Sequence, residues 1–146
     1  MKGVLAVNGM MIDLSGNEPK VAEYVDSGRT YLDGSTQIGA MDGVVRDRIR
    51  MALNGHVTVT VIMDENDEAL GDPWVDTMGL PEQGRSKSSL VEIMEADLGQ
   101  FLGRANAKTL RDDDKLHDGL KRTVRQSAND EIGKKPEVTI VVSRLS

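Results

Sequence analysis

The side chains able to run a reaction are few in this chain. Its 146 residues include two histidines, His56 and His117, and no cysteine. Without a thiol there is no cysteine nucleophile, no cysteine-ligated zinc and no iron–sulfur cluster, and the absence fits a reducing compartment. Neither histidine has a neighbour at ligand spacing. A helical zinc pair needs histidines four positions apart with a glutamate beside them, and a general base needs a group that orients it. The run Asp64-Glu65-Asn66-Asp67-Glu68 offers alternating oxygen donors, but Ala69 stands where a calcium loop requires the glycine of its sharp turn. A charged hairpin turn is the better reading. Asp112-Asp113-Asp114 has the charge to hold magnesium, yet three acids opening a helix are accounted for by the positive end of its dipole. No glycine cluster followed by Lys-Ser or Lys-Thr stands between a strand and a helix, which excludes a phosphate-cradling nucleotide loop. No catalytic residue and no metal ligand is assigned, and no cofactor is expected within this chain.

What remains is binding chemistry. Asp+Glu number 24 against 18 Lys+Arg, a formal net charge of -6, so the chain as a whole is not a strong sequence-independent nucleic-acid binder. The charge is uneven: residues 104–146 hold 10 Lys+Arg against 7 Asp+Glu, whereas residues 1–103 hold 8 against 17. Within the basic third, Arg122, Arg125, Lys134 and Lys135 form the main cluster and are candidates for contact with nucleic-acid phosphate. The alternative is a solvated helix face. Aromatic residues make up 3% of the chain and none is interleaved with the cluster, so base stacking is not expected there. Gly99, Gly103 and Ala107 place a small residue at every fourth position. Helix-interior glycines cost roughly 1 kcal/mol each relative to alanine, so the stripe points to close approach of another helix. A helix of the same chain is the favoured neighbour, with a dimer seam as the alternative.

The elements that must position these residues are legible in the patterning. The first 41 residues consist of short apolar pieces, 3–7, 11–14, 21–25 and 29–32, cut by Asn8-Gly9, Ser15-Gly16-Asn17, Ser27-Gly28 and Asp33-Gly34. They read as a connector of short strands whose packing partner lies elsewhere. Residues 42–146 read as an α/β domain. Asp42 is placed to cap a helix that Asn54-Gly55 stops. Residues 56–63 alternate, with Val57, Val59, Val61 and Met63 on one face, and a weaker strand follows around 73–78, beginning at Pro73. Residues 81–88 are polar and expected to be flexible. Ser89 and Glu92 match a capping box, and Leu90, Met94, Leu98, Phe101 and Leu102 form the stripe of the helix it opens. After a break at 108–111, Leu116, Leu120, Val124, Ala128 and Ile132 mark a second helix, ended by Gly133. Val138, Ile140 and Val142 share one face of a closing strand. The order is β-β-α-α-β, an α+β fold with a three-stranded sheet and two main helices packed on one face. The most apolar stretch, 56–63, falls far short of the roughly 20 residues that span a bilayer. With no secretory signal at the N-terminus, a cytoplasmic location is expected.

Three stretches taken in order resemble a known family. Gly28-Arg29-Thr30-Tyr31-Leu32-Asp33-Gly34, then Ile38-Gly39, then Val45-Arg46-Asp47-Arg48 running into Gly55 and a Val/Thr strand, resemble the connector and opening of the C-terminal domain of ribonuclease J. Gly133-Lys134-Lys135-Pro136 before a β-branched strand resembles the basic-proline ending of the same domain. The similarity covers nearly the whole chain and looks toward the alphaproteobacterial branch. It departs at Thr77-Met78-Gly79, where similar domains often carry Ser-Arg-Gly.

The resemblance implies a parent enzyme in which a metallo-β-lactamase domain with an inserted β-CASP domain binds two metal ions, usually zinc. Such an enzyme degrades RNA from its 5′ end or cuts it internally. The family's catalytic signature, H-x-H-x-D-H, has no counterpart here. The implied role is therefore a non-catalytic appendage supporting self-association and RNA processing, with zinc in a catalytic domain outside this chain. The implied partners are RNA through the full-length enzyme, the parent's catalytic domains, and a second copy in a homo-oligomer. The alternative is a protein-interaction module with no direct RNA contact.

Overall fold

A computed structural model describes residues 3–146. The chain divides into two units, the division falling after Arg46. The first unit holds two hairpins. Strand β1 (Met10–Asp13) pairs antiparallel with β2 (Lys20–Tyr24), with a register shift between Met11 and Ile12. Strand β3 (Thr30–Asp33) pairs antiparallel with β4 (Thr36–Gly39) around Gly34, whose φ of 61° favours glycine. Residues 3–7, expected as a strand, form none, and Thr36–Gly39, with little apolar patterning to announce it, does pair. No described residue of this unit is buried, because each sheet has two strands and no second layer.

Helix α1 (Gly43–Asn54) runs across the division and ends at Gly55, whose N–H donates to Met51 O at 2.8 Å. Gly55 has φ 75°, and a Cβ there would run into the Leu80 side chain and the Gly79 carbonyl, so glycine is required on both counts. Asp42, expected to cap this helix, accepts the Gly39 N–H at 2.6 Å.

The second unit is a two-layer domain. Strands β5 (His56–Met63), β6 (Trp74–Met78) and β7 (Glu137–Arg144) form one sheet in the order β6-β5-β7, with β6 antiparallel and β7 parallel to the centre. The register sets Val59 beside Val75 and Ile140 on one face, and Thr60 beside Trp74 and Val141 on the other. Helices α2 (Leu90–Arg104) and α4 (Asp113–Ile132) cover the first face. Leu90, Met94, Leu98 and Leu102 from α2, with Leu116, Leu120, Val124 and Ala128 from α4, are buried against Val57, Val59, Val61 and Met63. The sheet with two main helices is the arrangement that the stripes call for, since each apolar face buries the others.

Capping follows the sequence. Ser89 Oγ accepts the Glu92 N–H at 3.3 Å, Asp112 Oδ1 accepts the Lys115 N–H at 3.2 Å, and Gly133 closes α4 with φ 66°. Two expectations are corrected. The break at 108–111 contains a short helix, α3 (Ala107–Arg111), started by Asn106, whose side chain accepts the Thr109 N–H at 2.9 Å. The segment 81–88, expected to be flexible, is pinned to the end of α4. Glu131 Oε2 accepts from both the N–H and the Oγ of Ser86 at 2.9 Å each, and its carbonyl accepts the Arg85 N–H at 2.8 Å. On the other face of the sheet Trp74 is 71% and Met78 76% exposed. No described helix is long and apolar enough to cross a membrane.

Candidate nucleic-acid interface

Helix α4 places its cations by periodicity. Lys121, Arg122 and Arg125 lie three and four positions apart and share a face with Asp118 and Gln126. The left-handed turn at Gly133 then reverses the chain and brings Lys135 back beside them. These six side chains line a pocket of about 290 Å³. Four are cations and one is an acid. None of the four cations forms an ion pair with another described residue, and the buried Arg125 Nε has no hydrogen-bond partner among them.

The four residues singled out from sequence do not all meet. Arg122, Arg125 and Lys135 come together in this pocket. Lys134 does not line it; its Nζ donates to Leu53 O at 3.0 Å, on the last turn of α1. Lys121, which sequence reasoning passed over, takes its place. Its signal was available, four residues before Arg125 on one helix face.

A second cavity, of about 520 Å³, adjoins the first and shares Arg122 and Gln126 with it. It runs between α2 and α4, with Phe101 and Arg104 contributed by α2. Phe101 sits here because Gly119 lets it: a Cβ on Gly119 would clash with the Phe101 ring. The Ser127 hydroxyl lies 2.5 Å from Asp97 Oδ2 and 3.0 Å from Thr123 O, tying the two helices together, and Gln126 Nε2 donates to Asp130 Oδ1 at 2.8 Å. An aromatic ring and one member of the cationic cluster, Arg122, therefore line the same cavity. The ring arrives from another helix, where linear interleaving could not show it.

The glycine stripe is a different matter. Among the described residues no other element packs closely on Gly99 or Gly103, since a Cβ built on either meets none of their atoms within 4 Å. Ala107 belongs to α3, so the stripe does not continue along one helix. The favoured intrachain contact is not made there, and the close approach between α2 and α4 uses Gly119 instead.

The acids are engaged structurally. Asp64 Oδ1 accepts the N–H groups of Asn66 at 2.8 Å and Glu68 at 2.9 Å, as a turn requires, and Asp67 pairs with Arg144 at 2.7 Å. Among the described residues no group of three or more His, Cys, Asp or Glu side chains is placed to hold a metal ion. His56 Nε2 lies 2.9 Å from Thr139 Oγ1 on the outer face of the sheet.

Fold and site together define a two-layer α+β domain with a cationic groove along its helical side. Residues 43–145 match the family described as the ribonuclease J C-terminal domain, and the chain belongs to that family. It is 33% identical to ribonuclease J of Sinorhizobium meliloti over 94% of this chain and 24% of that protein. It is 27% identical to ribonuclease J of Corynebacterium glutamicum over 84% of this chain and 17% of that protein. With ribonuclease J of Mycobacterium tuberculosis the identity is 24%, over 95% of this chain and 24% of the other. The chain thus spans about a quarter or less of the length of these relatives.

Proposed function

We propose that this chain is the non-catalytic C-terminal domain of a ribonuclease J-like, metal-dependent 5′-3′ exo- and endoribonuclease, which supports assembly of the enzyme and RNA processing and decay by holding RNA through its phosphates. The zinc chemistry of such an enzyme belongs to a catalytic domain outside this chain. The observation that carries the reading is the convergence of Lys121, Arg122, Arg125 and Lys135 on one pocket although the chain is acidic overall. Local concentration of charge is what phosphate contact needs, because affinity comes from the counterions those side chains displace.

The test is the salt dependence of single-stranded RNA binding to the chain. Each phosphate contact contributes about 0.7 to the slope of log K against log salt, so combined Arg122→Ala, Arg125→Ala and Lys135→Ala should lower the slope by about 2. Lys134→Ala should leave it unchanged, because that amine is held at the end of α1. An unaltered slope in the triple variant would remove phosphate contact from this groove.

A second reading is favoured by a separate observation. The outer sheet face exposes Trp74 and Met78 on β6, Ile62 on β5 and Val141 on β7. A sheet face that exposes a tryptophan suits protein–protein assembly, including a homo-oligomer or docking on the catalytic domains of the parent.

A further inference from the structure

We infer that the α2–α4 groove takes a whole nucleotide of single-stranded RNA, its base in the cavity beside Phe101 and its phosphate in the neighbouring cationic pocket. This rests on the phosphate-holding role proposed above and adds a base-binding compartment to it.

Three features of the groove carry the inference. The first is division of labour between two adjoining spaces. The larger, about 520 Å³, has the only phenylalanine of the chain on its wall, while the smaller, about 290 Å³, is lined by four cations. A nucleotide has the same division, a planar ring with two apolar faces joined through a sugar to an anion. The second is the join. Arg122 and Gln126 line both spaces, so a ligand can occupy both at once, and a guanidinium at that position can stack on a base or donate to a phosphate. The third is the placement of the acids. Asp97 and Asp130 stand in the larger space, each already holding a neighbour, Ser127 and Gln126 respectively. The larger space sets these two acids against Arg104 and Arg122, whereas the smaller sets one acid, Asp118, against four cations, so phosphate is favoured in the smaller, and the carboxylates of the larger can accept from the amino groups on base edges. A duplex cannot use this arrangement, because its base faces are stacked; an unpaired strand can splay a base into the cavity.

The test compares three probes at one salt concentration by anisotropy: a fluorescein-labelled single-stranded RNA 12-mer, an abasic ribose-phosphate oligomer of equal length, and inorganic polyphosphate. RNA should bind about tenfold or more tightly than the abasic strand. Phe101→Leu, which keeps an apolar side chain, should bring RNA down to the abasic level without weakening the abasic strand. Arg104→Ala serves where the first variant fails to melt cooperatively, since Arg104 lines the larger space alone, and it should lower RNA affinity while sparing polyphosphate. Photocrosslinking of RNA containing 4-thiouridine should label peptides from α2. Equal binding of RNA and abasic strand, with both weakened by the triple cation variant, would overturn the base compartment and leave the phosphate reading standing. Failure of all three probes to bind would overturn both, as would capture of an acidic aromatic peptide in the groove in place of RNA. Crosslinks confined to residues outside α2 and α4 would also defeat the base assignment.

Discussion

Glu131 shows how much one side chain can do on a surface. Its carboxylate accepts two hydrogen bonds from Ser86 and so holds the segment before α2 to the end of α4. Those bonds, the backbone one foremost and then the hydroxyl, hold its carboxyl below the usual carboxylate range, with Arg85 adding a smaller electrostatic pull in the same direction. A carboxyl depressed in the folded state stabilises the fold above its unfolded pKa and loses that contribution as pH falls through the folded one. Wild type should therefore melt above Glu131→Gln at neutral pH, and the gap should close as the solution is acidified below the usual carboxylate range. Thermal melts across that range decide it: a gap of constant size would mean the carboxylate charge is irrelevant to the loop. Gly119 belongs to the same scale. Its missing side chain is what admits Phe101 into the groove, and no polar or charged neighbour in the sequence hints at it.

Between elements, the connection most dependent on a single residue is the one at the end of β7. Arg144 donates through Nη1 to Asp67 at 2.7 Å in the β5–β6 turn, through Nε to Asp113 at 2.9 Å at the start of α4, and through Nη2 to the Leu110 carbonyl at 2.7 Å in α3. The β5–β6 turn and the α3–α4 junction, distant in sequence, meet on one planar fork, a task suited to arginine and not to lysine. The side chain is 27% exposed, so solvent screens the ion pairs and the expected loss for Arg144→Ala is about 1–2 kcal/mol. Arg144→Lys should recover only a small part, since one ammonium cannot satisfy three acceptors in fixed positions. Urea unfolding of the three proteins checks this, and full recovery by lysine would show that charge alone matters. Asp67 supports the same picture, because it holds a left-handed φ of 62° while pairing with Arg144 and, at 3.4 Å, with Arg111. The acidic run that suggested a metal loop is in this way a structural joint.

At the scale of the whole molecule the two layers present opposite chemistry. The helical side offers a charged groove, and the other sheet face offers Trp74, which is 71% exposed, beside a row of threonines. Assembly through that face should give a dimer whose population rises with concentration, measurable by light scattering across a dilution series. Trp74→Ser should shift the chain toward monomer while leaving its melting temperature nearly unchanged, because the side chain contributes little to the folded unit it sits on. A wild-type chain that stays monomeric throughout the series would rule out self-association by this face. RNA binding and self-association are separable on this view, since they use opposite sides of the sheet and helix layers.

Local order along the chain was written in its amino acids. The alternation of Val57, Val59, Val61 and Met63, the leucine stripes of α2 and α4, the caps at Ser89 and Asp112 and the stop at Gly133 each follow from a few adjacent side chains and the periods of strand and helix. The ordered motifs likewise placed the chain with ribonuclease J. Tertiary structure alone decided which distant groups share a space. It moved Lys134 to the end of α1, brought Lys121 into the cationic pocket, put Phe101 and Arg122 on the walls of one cavity, and fastened a loop that composition marked as loose. The reason is physical: periodicity determines the face a residue occupies on its own element, but its neighbours across the groove depend on how two helices rest on one sheet, and that is fixed by packing contacts such as Phe101 on Gly119.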